Sequence, residues 1–353
     1  MDKTGWITHC FGRFLIDLPP KAEINAGYYL WGDNIEALDD TPTTLAVRVD
    51  DIEKKLKSEQ HRKIQGSMFV RRLNLASDSA GLLSWSSNAS IEMYKLDTYA
   101  ISKPAWRAYR WNGSVSQDRE VQGVQSANSL AQDLRSREPN EIPSESGFCI
   151  DRAYIAGNTF QMESFETGIT FPEYPGVRFQ FSSSTGAEEN RLLDRVGGFL
   201  MGAAKLVVGI ETLRKRQRDG AVPADEYLLA GTDKGQRIYT FAWEAQGKDE
   251  SITEPNISAS LGVLERSPDK NGNPPPPPFK SDKEALDLWD TIIDSIRLRP
   301  VSSAPRGGGN TANPSSPGGS GNQIASRYPQ TGDYAIEEFL LSLKSNDNWM
   351  DKL

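Results

Sequence analysis

The sequence has few of the groups that perform chemistry at neutral pH. Its 353 residues include two histidines and two cysteines. The motifs Gly-x-Ser-x-Gly, His-Glu-x-x-His, Cys-x-x-Cys and Gly-x-x-x-x-Gly-Lys do not occur in it. These absences argue against serine hydrolases, zinc metalloproteases and P-loop enzymes. We therefore expect a protein that is not an enzyme, with no catalytic, cofactor-binding or metal-binding residues.

The two histidines are weak candidates for catalysis. His9 stands in the first apolar strand, and His61 in a charged segment at the end of a predicted helix. Adjacent acidic pairs such as Glu188-Glu189 are uninformative, because a chain with 48 acidic residues contains them by chance. A glycosidase needs two carboxylates at a set separation, which a sequence cannot display. We expect both histidines to be structural or solvated.

Charge and hydropathy limit the possible partners. The net charge of −8 argues against nucleic-acid binding, which needs a basic surface. The most apolar run, 196–210, contains Lys205 and is shorter than the roughly 20 residues of a membrane span, so we expect no direct membrane insertion. Helical spacing predicts instead a long core helix over 187–217, whose last turn carries the cations of 214–218. An anionic-lipid patch at these cations is the alternative interpretation.

The N-terminus and the cysteines bear on the compartment. Met1 to Gly5 is short and polar and has no apolar signal-peptide region. As written, the sequence predicts a cytoplasmic protein, or a periplasmic one if it is a trimmed mature form. Two cysteines are not a disulfide framework. Because Cys10 and Cys149 each begin an apolar strand, buried thiols are the favoured interpretation and a bridge between them is the alternative.

Two long segments of the chain begin alike and end alike. The beginnings run from Cys10 to Arg13 and from Cys149 to Arg152, each followed by apolar residues. The ends are Arg-x-Arg sequences at 135–137 and 297–299, each at the end of a predicted helix. This repetition predicts two domains of one architecture, a number that the length of the chain also favours.

The order of predicted elements repeats as well. Each half begins with apolar strands, continues with a helix and further strands, and closes with a second helix. Short connections favour antiparallel pairing. We therefore predict the α+β class, with two similar domains over 6–139 and 147–300, each a largely antiparallel sheet packed with two helices. The two domains would form a clamp with a cleft between them.

Proline-rich and glycine-rich segments fall outside this repeat. A stiff polyproline run precedes Phe279 and is either a surface spacer or a docking element. Residues 301–331 have the composition of a flexible linker. The tail over 332–353 contains a short amphipathic helical pattern, and is either a docking peptide or a weakly ordered appendage. The candidate partner-binding residues are Pro274, Pro278, Phe279, Phe339 and Trp349.

Several dispersed motifs resemble one protein family. They are THCFGRFLIDLP from Thr8, SKPAWR from Ser102, GFCID from Gly147 with YIAG from Tyr154, YTFAWE from Tyr239, and LWD from Leu288 with IRLRP from Ile296. Together they resemble the cognate immunity proteins of type VI secretion phospholipase effectors, in the class-four lipase-effector family. The resemblance covers about residues 6–300 and both domains of that family.

The resemblance implies a non-enzymatic inhibitor with no cofactor. Such a protein grasps a lipase effector of the α/β-hydrolase type, covers its lid and active-site entrance, and holds it inactive. The implied role is that of the antitoxin in a toxin–antitoxin pair used in bacterial competition. The alternative function is a lipid-binding or adaptor protein for effector loading, acting through 196–218 or 334–350.

Overall fold

The computed structural model describes residues 1–158, 162–195, 210–233, 236–263, 270 and 275–301. Met1–Arg299 forms one compact unit and Pro300–Leu353 is a second. Apart from Val301, the predicted linker and tail lie outside the described residues. The architecture below is that of the first unit.

The first half of this unit contains eleven strands and two long helices. The first helix begins at Pro42, because the Thr41 side chain accepts a hydrogen bond from the Thr44 N–H and Pro42 takes the first helical position. Two single turns of 3-10 helix cover Ala76–Asp78 and Gln117–Arg119. In order, the elements are β1 (Ile7–Phe11), β2 (Phe14–Leu18), β3 (Glu23–Leu30), β4 (Asp33–Leu38), α1 (Pro42–Ser58), β5 (Gln60–His61), β6 (Gly66–Ser67), β7 (Phe69–Asn74), β8 (Ala80–Ser87), β9 (Ser90–Ser102), β10 (Arg107–Ser116), α2 (Glu120–Asp133) and β11 (Leu134–Ser136).

The second half ends with a helix that Ser281 caps through a hydrogen bond from the Glu284 N–H. The inward face of this helix is buried and includes Leu288 and Trp289. The elements are β12 (Gly147–Ile150), β13 (Ala153–Ala156), β14 (Glu163–Thr170), β15 (Val177–Ser184), β16 (Glu211–Arg218), β17 (Ala224–Asp233), β18 (Gln236–Ala245), β19 (Asn256–Val263), α3 (Asp282–Ile293) and β20 (Arg297–Leu298).

One 12-stranded sheet runs through both halves. Its order is β16-β17-β18-β19-β15-β14-β3-β4-β10-β9-β8-β7. The central pair is β3 with β14, which are antiparallel from Glu23 opposite Thr170 to Leu30 opposite Glu163. Outward from this pair, each half adds its strands in the same sequence. The next strand along the chain comes first (β4 or β15), then the sixth strand after that one in the first half and the fourth in the second (β10 or β19), and then the three strands that precede it in reverse order. The duplication predicted from the ends of the segments is therefore a duplication of topology.

The closing strands cross between the halves. The last strand, β20, pairs with β2 of the first half, and β11 pairs with β13 of the second half. Two three-stranded sheets of matching order result, β1-β2-β20 and β12-β13-β11. Each predicted domain thus contributes its closing strand to the opening hairpin of the other. A buried apolar core extends through residues of both halves.

The predicted α+β class, with largely antiparallel sheets and few helices, is confirmed. The division into domains at 6–139 and 147–300 stays a prediction. Strands of the first predicted domain pair with strands of the second, in the large sheet and in both small ones. None of the helices within the described ranges has the length and apolarity needed to cross a membrane.

The predicted helix over 187–217 is wrong at both ends. Residues 188–191 are not helical, 192–195 are helical, and 211–218 are the strand β16, while 196–209 lie outside the described residues. The sequence RKRQR, read as cations of a last helical turn, alternates as a strand does. Its three arginines all point to Glu226, which lies on the neighbouring strand.

Candidate functional site

The histidines have structural environments. His61 is 1% exposed, and its Nδ1 accepts hydrogen bonds from the backbone N–H groups of Lys63 and Ile64. Its Nε2 therefore donates to the carbonyl of Ser90 at 3.0 Å. Both ring nitrogens are engaged in hydrogen bonds to backbone groups of this chain. The ring therefore offers no proton acceptor to a substrate.

His9 lies on β1 with its ring stacked on Phe11. Burial, with a smaller effect from the cation of Arg137, lowers the pKa of His9 below its ordinary value. No group of three or more histidine, cysteine, aspartate or glutamate side chains within the described ranges could hold a metal ion. Within the described ranges, the histidines and the potential metal-ligating side chains are thus dispersed or make structural contacts.

Buried carboxylates in the structure are matched by arginines. Glu163 is held by both ends of the Arg13 guanidinium at 2.7 Å, with exposures of 11% for the arginine and 3% for the glutamate side chain. Burial raises the pKa of Glu163, and Arg13 opposes that shift. This pair links the turn after β1 to the first residue of β14, at the junction of the two halves.

A second network fixes the edge of the sheet to α3. Glu226 accepts hydrogen bonds from Arg216, Arg218 and the Trp289 indole. Arg218 also reaches Asp290 on α3 at 2.8 Å. Burial alone would raise the pKa of Glu226, but Trp289 and Arg218 together hold it below its ordinary value.

This network bears on the predicted lipid patch. Of the cations at 214–218, three arginines are engaged by carboxylates of the same chain. Lys215 lies 5.8 Å from the Tyr227 ring centroid. The cationic run is thus a structural edge of the sheet, and it gives no support to a lipid-binding function.

The two cysteines form a disulfide, which corrects the expectation of buried thiols. Cys10 and Cys149 are bridged with a Cα–Cα separation of 5.9 Å. Their strands, β1 and β12, come together because Gly12 and Cys149 exchange backbone hydrogen bonds of 2.9 and 2.7 Å. The two cysteines occupy equivalent places in the two opening strands, and the antiparallel pairing of Gly12 with Cys149 brings them face to face.

The arginines that close each repeat anchor the other half. The backbone N–H of Arg137 donates to the carbonyl of Arg152, and that of Arg299 donates to the carbonyl of Arg13, at 3.0 and 2.8 Å. These are the opening arginines of the opposite repeat. The repeated arginines therefore meet in crossed pairs.

The side chains of the closing arginines bind carbonyl oxygens. Arg299 donates to the carbonyls of Pro143, Glu145 and Gly147, and burial lowers its pKa to about 10. Arg137 donates to the carbonyls of Cys10 and of residues in the second half, and burial lowers its pKa as well. The crossed backbone bonds and the side chain of Arg137 hold the two halves together.

The candidate partner-binding residues are not brought together. Phe279 is 3% exposed, and its ring packs 5.1 Å from Tyr174 and 5.5 Å from Tyr239, so it is a core residue. Pro278 beside it is partly buried. Pro274, Phe339 and Trp349 lie outside the described residues.

The turn between β3 and β4 is a feature that the local sequence does not show. Trp31 lies in this turn, Asp33 follows it as the first residue of β4, and the carbonyl of Met162 accepts a hydrogen bond from the Trp31 N–H. Trp31 and Gly32 form the turn between β3 and β4, and both have positive φ. A bulky residue before a glycine between two apolar runs is the signal of this turn in the sequence.

Two family comparisons cover most of the described unit. The family described as Tle cognate immunity protein 4 N-terminal domain matches residues 7–104, and the corresponding C-terminal domain family matches residues 141–301. No curated protein matches the chain.

Solved structures are similar over both halves. The crystal structure of the Tle4-Tli4 complex contains a chain with 62% identity and a TM-score of 0.83, and the match covers 86% of this chain and all of that one. The apo structure of the type VI secretion immunity protein TplEi from Pseudomonas aeruginosa has 61% identity and a TM-score of 0.80, with coverages of 85% and 99%. TplEi from the same organism, complexed with an "L" peptide, has 60% identity and a TM-score of 0.76, with coverages of 85% and 100%.

Proposed function

Because this chain belongs to the Tle cognate immunity protein 4 family, we propose that it protects a bacterium by binding and inhibiting a type VI secretion effector. The observation that carries the proposal is the 62% identity with the immunity protein of the Tle4-Tli4 complex, over the whole of that chain. Immunity of this kind acts by binding and needs no catalytic group. The absence of enzymatic motifs from the sequence agrees with it.

The finer proposal concerns the partner and the mode of inhibition. We infer that the effector is a lipase of the α/β-hydrolase type, held inactive by contact with its lid and active-site entrance. A lipase whose lid must move before catalysis is inhibited by any partner that binds the closed state more tightly. A clamp that contacts the enzyme with both halves would bury about 1,600 Å² or more.

The crossed closing strands support this mode of binding. A protein that inhibits through area and shape loses less free energy on association when its surface is preorganised. Here the disulfide, the Arg13–Glu163 pair and the hydrogen bonds from the Arg137 side chain to the carbonyls of Ile150 and Ala153 each join one half to the other. The two halves therefore present their surfaces to a partner in a fixed relation.

The compartment is also a matter of proposal. The Cys10–Cys149 bridge supports an oxidising environment, since disulfides persist in the periplasm and are rare in the bacterial cytosol. We infer that the protein acts in the periplasm. Alkylation of free thiols in fractionated cells tests this: protein from intact cells should resist alkylation until it is reduced, and fully alkylated thiols would contradict it.

The decisive experiment measures binding and inhibition with the cognate effector. Purified protein should form an equimolar complex with the effector, detected by size-exclusion chromatography with light scattering. Hydrolysis of a fluorogenic phospholipid by the effector should fall in proportion to the added protein. An effector that remains fully active in the presence of a twofold excess would overturn the proposed function.

A control separates inhibition from lipid sequestration. The same protein is incubated with vesicles of the assay phospholipid and floated on a density gradient. Flotation of the protein without effector would indicate that it masks the substrate, which is the lipid-binding alternative. Inhibition without flotation supports the immunity function.

A further inference from the structure

The Cys10–Cys149 bridge is enclosed by the two opening hairpins that it joins. The two cysteines are 3% and 0% exposed. Each faces a bulky residue across its own hairpin, Cys10 opposite Leu15 and Cys149 opposite Tyr154, and these four residues form one cluster. A thiolate that reduces a disulfide must contact one of its sulfur atoms. In the folded protein, burial prevents that contact.

The backbone around the bridge is closed in the same way. Gly12 and Cys149 exchange backbone hydrogen bonds of 2.9 and 2.7 Å, and the Arg137 guanidinium donates to the carbonyl of Cys10 at 3.3 Å. Gly12 has φ +54°, and an added Cβ there would lie 2.6 Å from the Phe165 ring. We therefore expect the sulfur atoms to become accessible only when the two hairpins separate.

The same burial would apply to the thiols of a folded, reduced chain. Oxidation requires the thiolate of one cysteine to attack the disulfide of a thiol oxidant, after which the second cysteine displaces the oxidant's sulfur. The chain gains one S–S bond, and the oxidant leaves as two thiols that take up both protons. Buried thiols cannot make the first contact, so the bond must form before the hairpins have packed.

A bridge that forms early changes how the large sheet assembles. Tyr29 on β3 and Glu166 on β14 are hydrogen-bonded although they are 137 positions apart. Because β3 and β14 each follow one of the bridged hairpins, the path between these residues through the bridge is only about 36 residues. The probability of loop closure falls with about the three-halves power of loop length, so the bridge raises it roughly five- to tenfold.

We propose that the Cys10–Cys149 bridge is a one-way redox lock. It forms on the newly made chain where a disulfide-bearing thiol oxidant is present, and it brings the central strands of the two repeats together. The completed fold then shields it from reductants. A chain made under reducing conditions lacks this link and folds more slowly. The lock itself does not depend on the effector, and only its consequence for inhibition rests on the proposed function.

The first test follows reduction of the native full chain by dithiothreitol. Free thiols are trapped at intervals with a maleimide reagent of high mass and counted on a denaturing gel. We expect reduction to be slow without denaturant and to accelerate steeply with added urea, as global unfolding does. A rate that does not respond to low urea would show that local opening exposes the sulfur atoms, and would overturn the inference.

The second test measures refolding from urea by stopped-flow tryptophan fluorescence. It compares the oxidised chain, the chain kept reduced, and the control Cys10→Ala with Cys149→Ala. We expect the oxidised chain to refold roughly five- to tenfold faster than the other two, which should match each other. Failure of both unbridged chains to refold also supports the lock. Equal rates for all three chains contradict it.

The timing of oxidation is tested with glutathione disulfide. Added at the start of refolding of the reduced chain, it should form the bridge. Added after a reduced chain has folded, it should leave the thiols free for as long as the protein stays folded. Equally rapid bridge formation in the two cases would show that the bond does not need to precede packing, which overturns the inference.

The consequence for inhibition is measured with the cognate effector, and effector treated with dithiothreitol alone is the control. Oxidised protein should inhibit equally with and without dithiothreitol under native conditions. Protein diluted from urea into dithiothreitol should reach full inhibition more slowly, as should the double variant. Prompt loss of inhibition when dithiothreitol is added to the native protein overturns the lock. An effector that the oxidised protein does not inhibit overturns the proposed function, and the first two tests still decide the lock.

Discussion

Arg13 binds both carboxylate oxygens of Glu163 at 2.7 Å, although the two residues are 150 positions apart in the sequence. Both side chains are nearly inaccessible to water. Removal of the cation would leave a buried carboxylate without its partner. We expect Arg13→Met to lower the free energy of unfolding by about 3–5 kcal/mol, measured by urea denaturation.

The control for this prediction is an exposed ion pair. Lys21 and Glu173 are 3.9 Å apart with side-chain exposures of 75% and 45%. Lys21→Met should change the free energy of unfolding by no more than about 1 kcal/mol. Equal effects of the two substitutions would show that the Arg13 pair does not stabilise the junction.

The disulfide should stabilise the protein against unfolding. It closes a loop with a sequence separation of 139, which in the unfolded chain removes conformational entropy. We expect Cys10→Ala with Cys149→Ala to lower the free energy of unfolding by about 4 kcal/mol. A reducing agent should lower the stability of the unmodified protein towards that of the double variant and leave the double variant unchanged; any other pattern argues against the bridge.

Asp33 should make stability depend on pH. Its pKa is raised from 3.8 to about 6 in the folded protein, so between these values the folded state binds more protons than the unfolded state. The stability contributed by this group is therefore greatest in acid and falls as pH rises through about 6. Asp33→Asn should raise the melting temperature more at pH 7 than at pH 4.5.

The measurement compares thermal melting of the two proteins at both pH values. Asp249→Asn, at an exposed carboxylate of the second half, is the control, and we expect no such pH-dependent difference from it. A melting temperature of Asp33→Asn below that of the unmodified protein at pH 7 would contradict the prediction.

Removal of the C-terminal segment should leave inhibition intact. Met1–Arg299 is one compact unit, and the C-terminal domain family ends at residue 301. We expect a protein of residues 1–301 to inhibit the effector at the same molar ratio as the full chain. A large loss of inhibition on truncation would favour the interpretation of the tail as a docking peptide.

The sequence predicted the class of fold and the duplication because both depend on local periodicity. Helices α1 and α3 begin at capping residues that can be read directly, Thr41 and Ser281. The failures occurred where a bulky residue takes a positive-φ position of a tight turn. Arg152, with φ +50°, reverses the chain inside what reads as one apolar strand, and Trp31 does the same.

The site was harder to predict because it depends on contacts between distant residues. Nothing in the local sequence shows that Cys10 faces Cys149, or that Glu226 lies opposite the arginines of β16. Period-two alternation in RKRQR was present, but a strongly apolar run before it favoured the helical interpretation. Phe279 is a candidate partner-binding residue by its place after the proline run, and its burial follows from ring packing that only the folded chain reveals.

Because β20 pairs with β2, the small sheet that contains the first hairpin can be completed only late in synthesis. Asp17 and Arg297, which are hydrogen-bonded in the finished protein, are 280 residues apart. A nascent chain exposes its first hairpin long before the ribosome has made the strand that completes the small sheet. Contacts of such long range form slowly, and an unpaired strand edge is prone to association with other chains. The newly made protein therefore has its first hairpin unprotected until translation has almost reached the end of the compact unit.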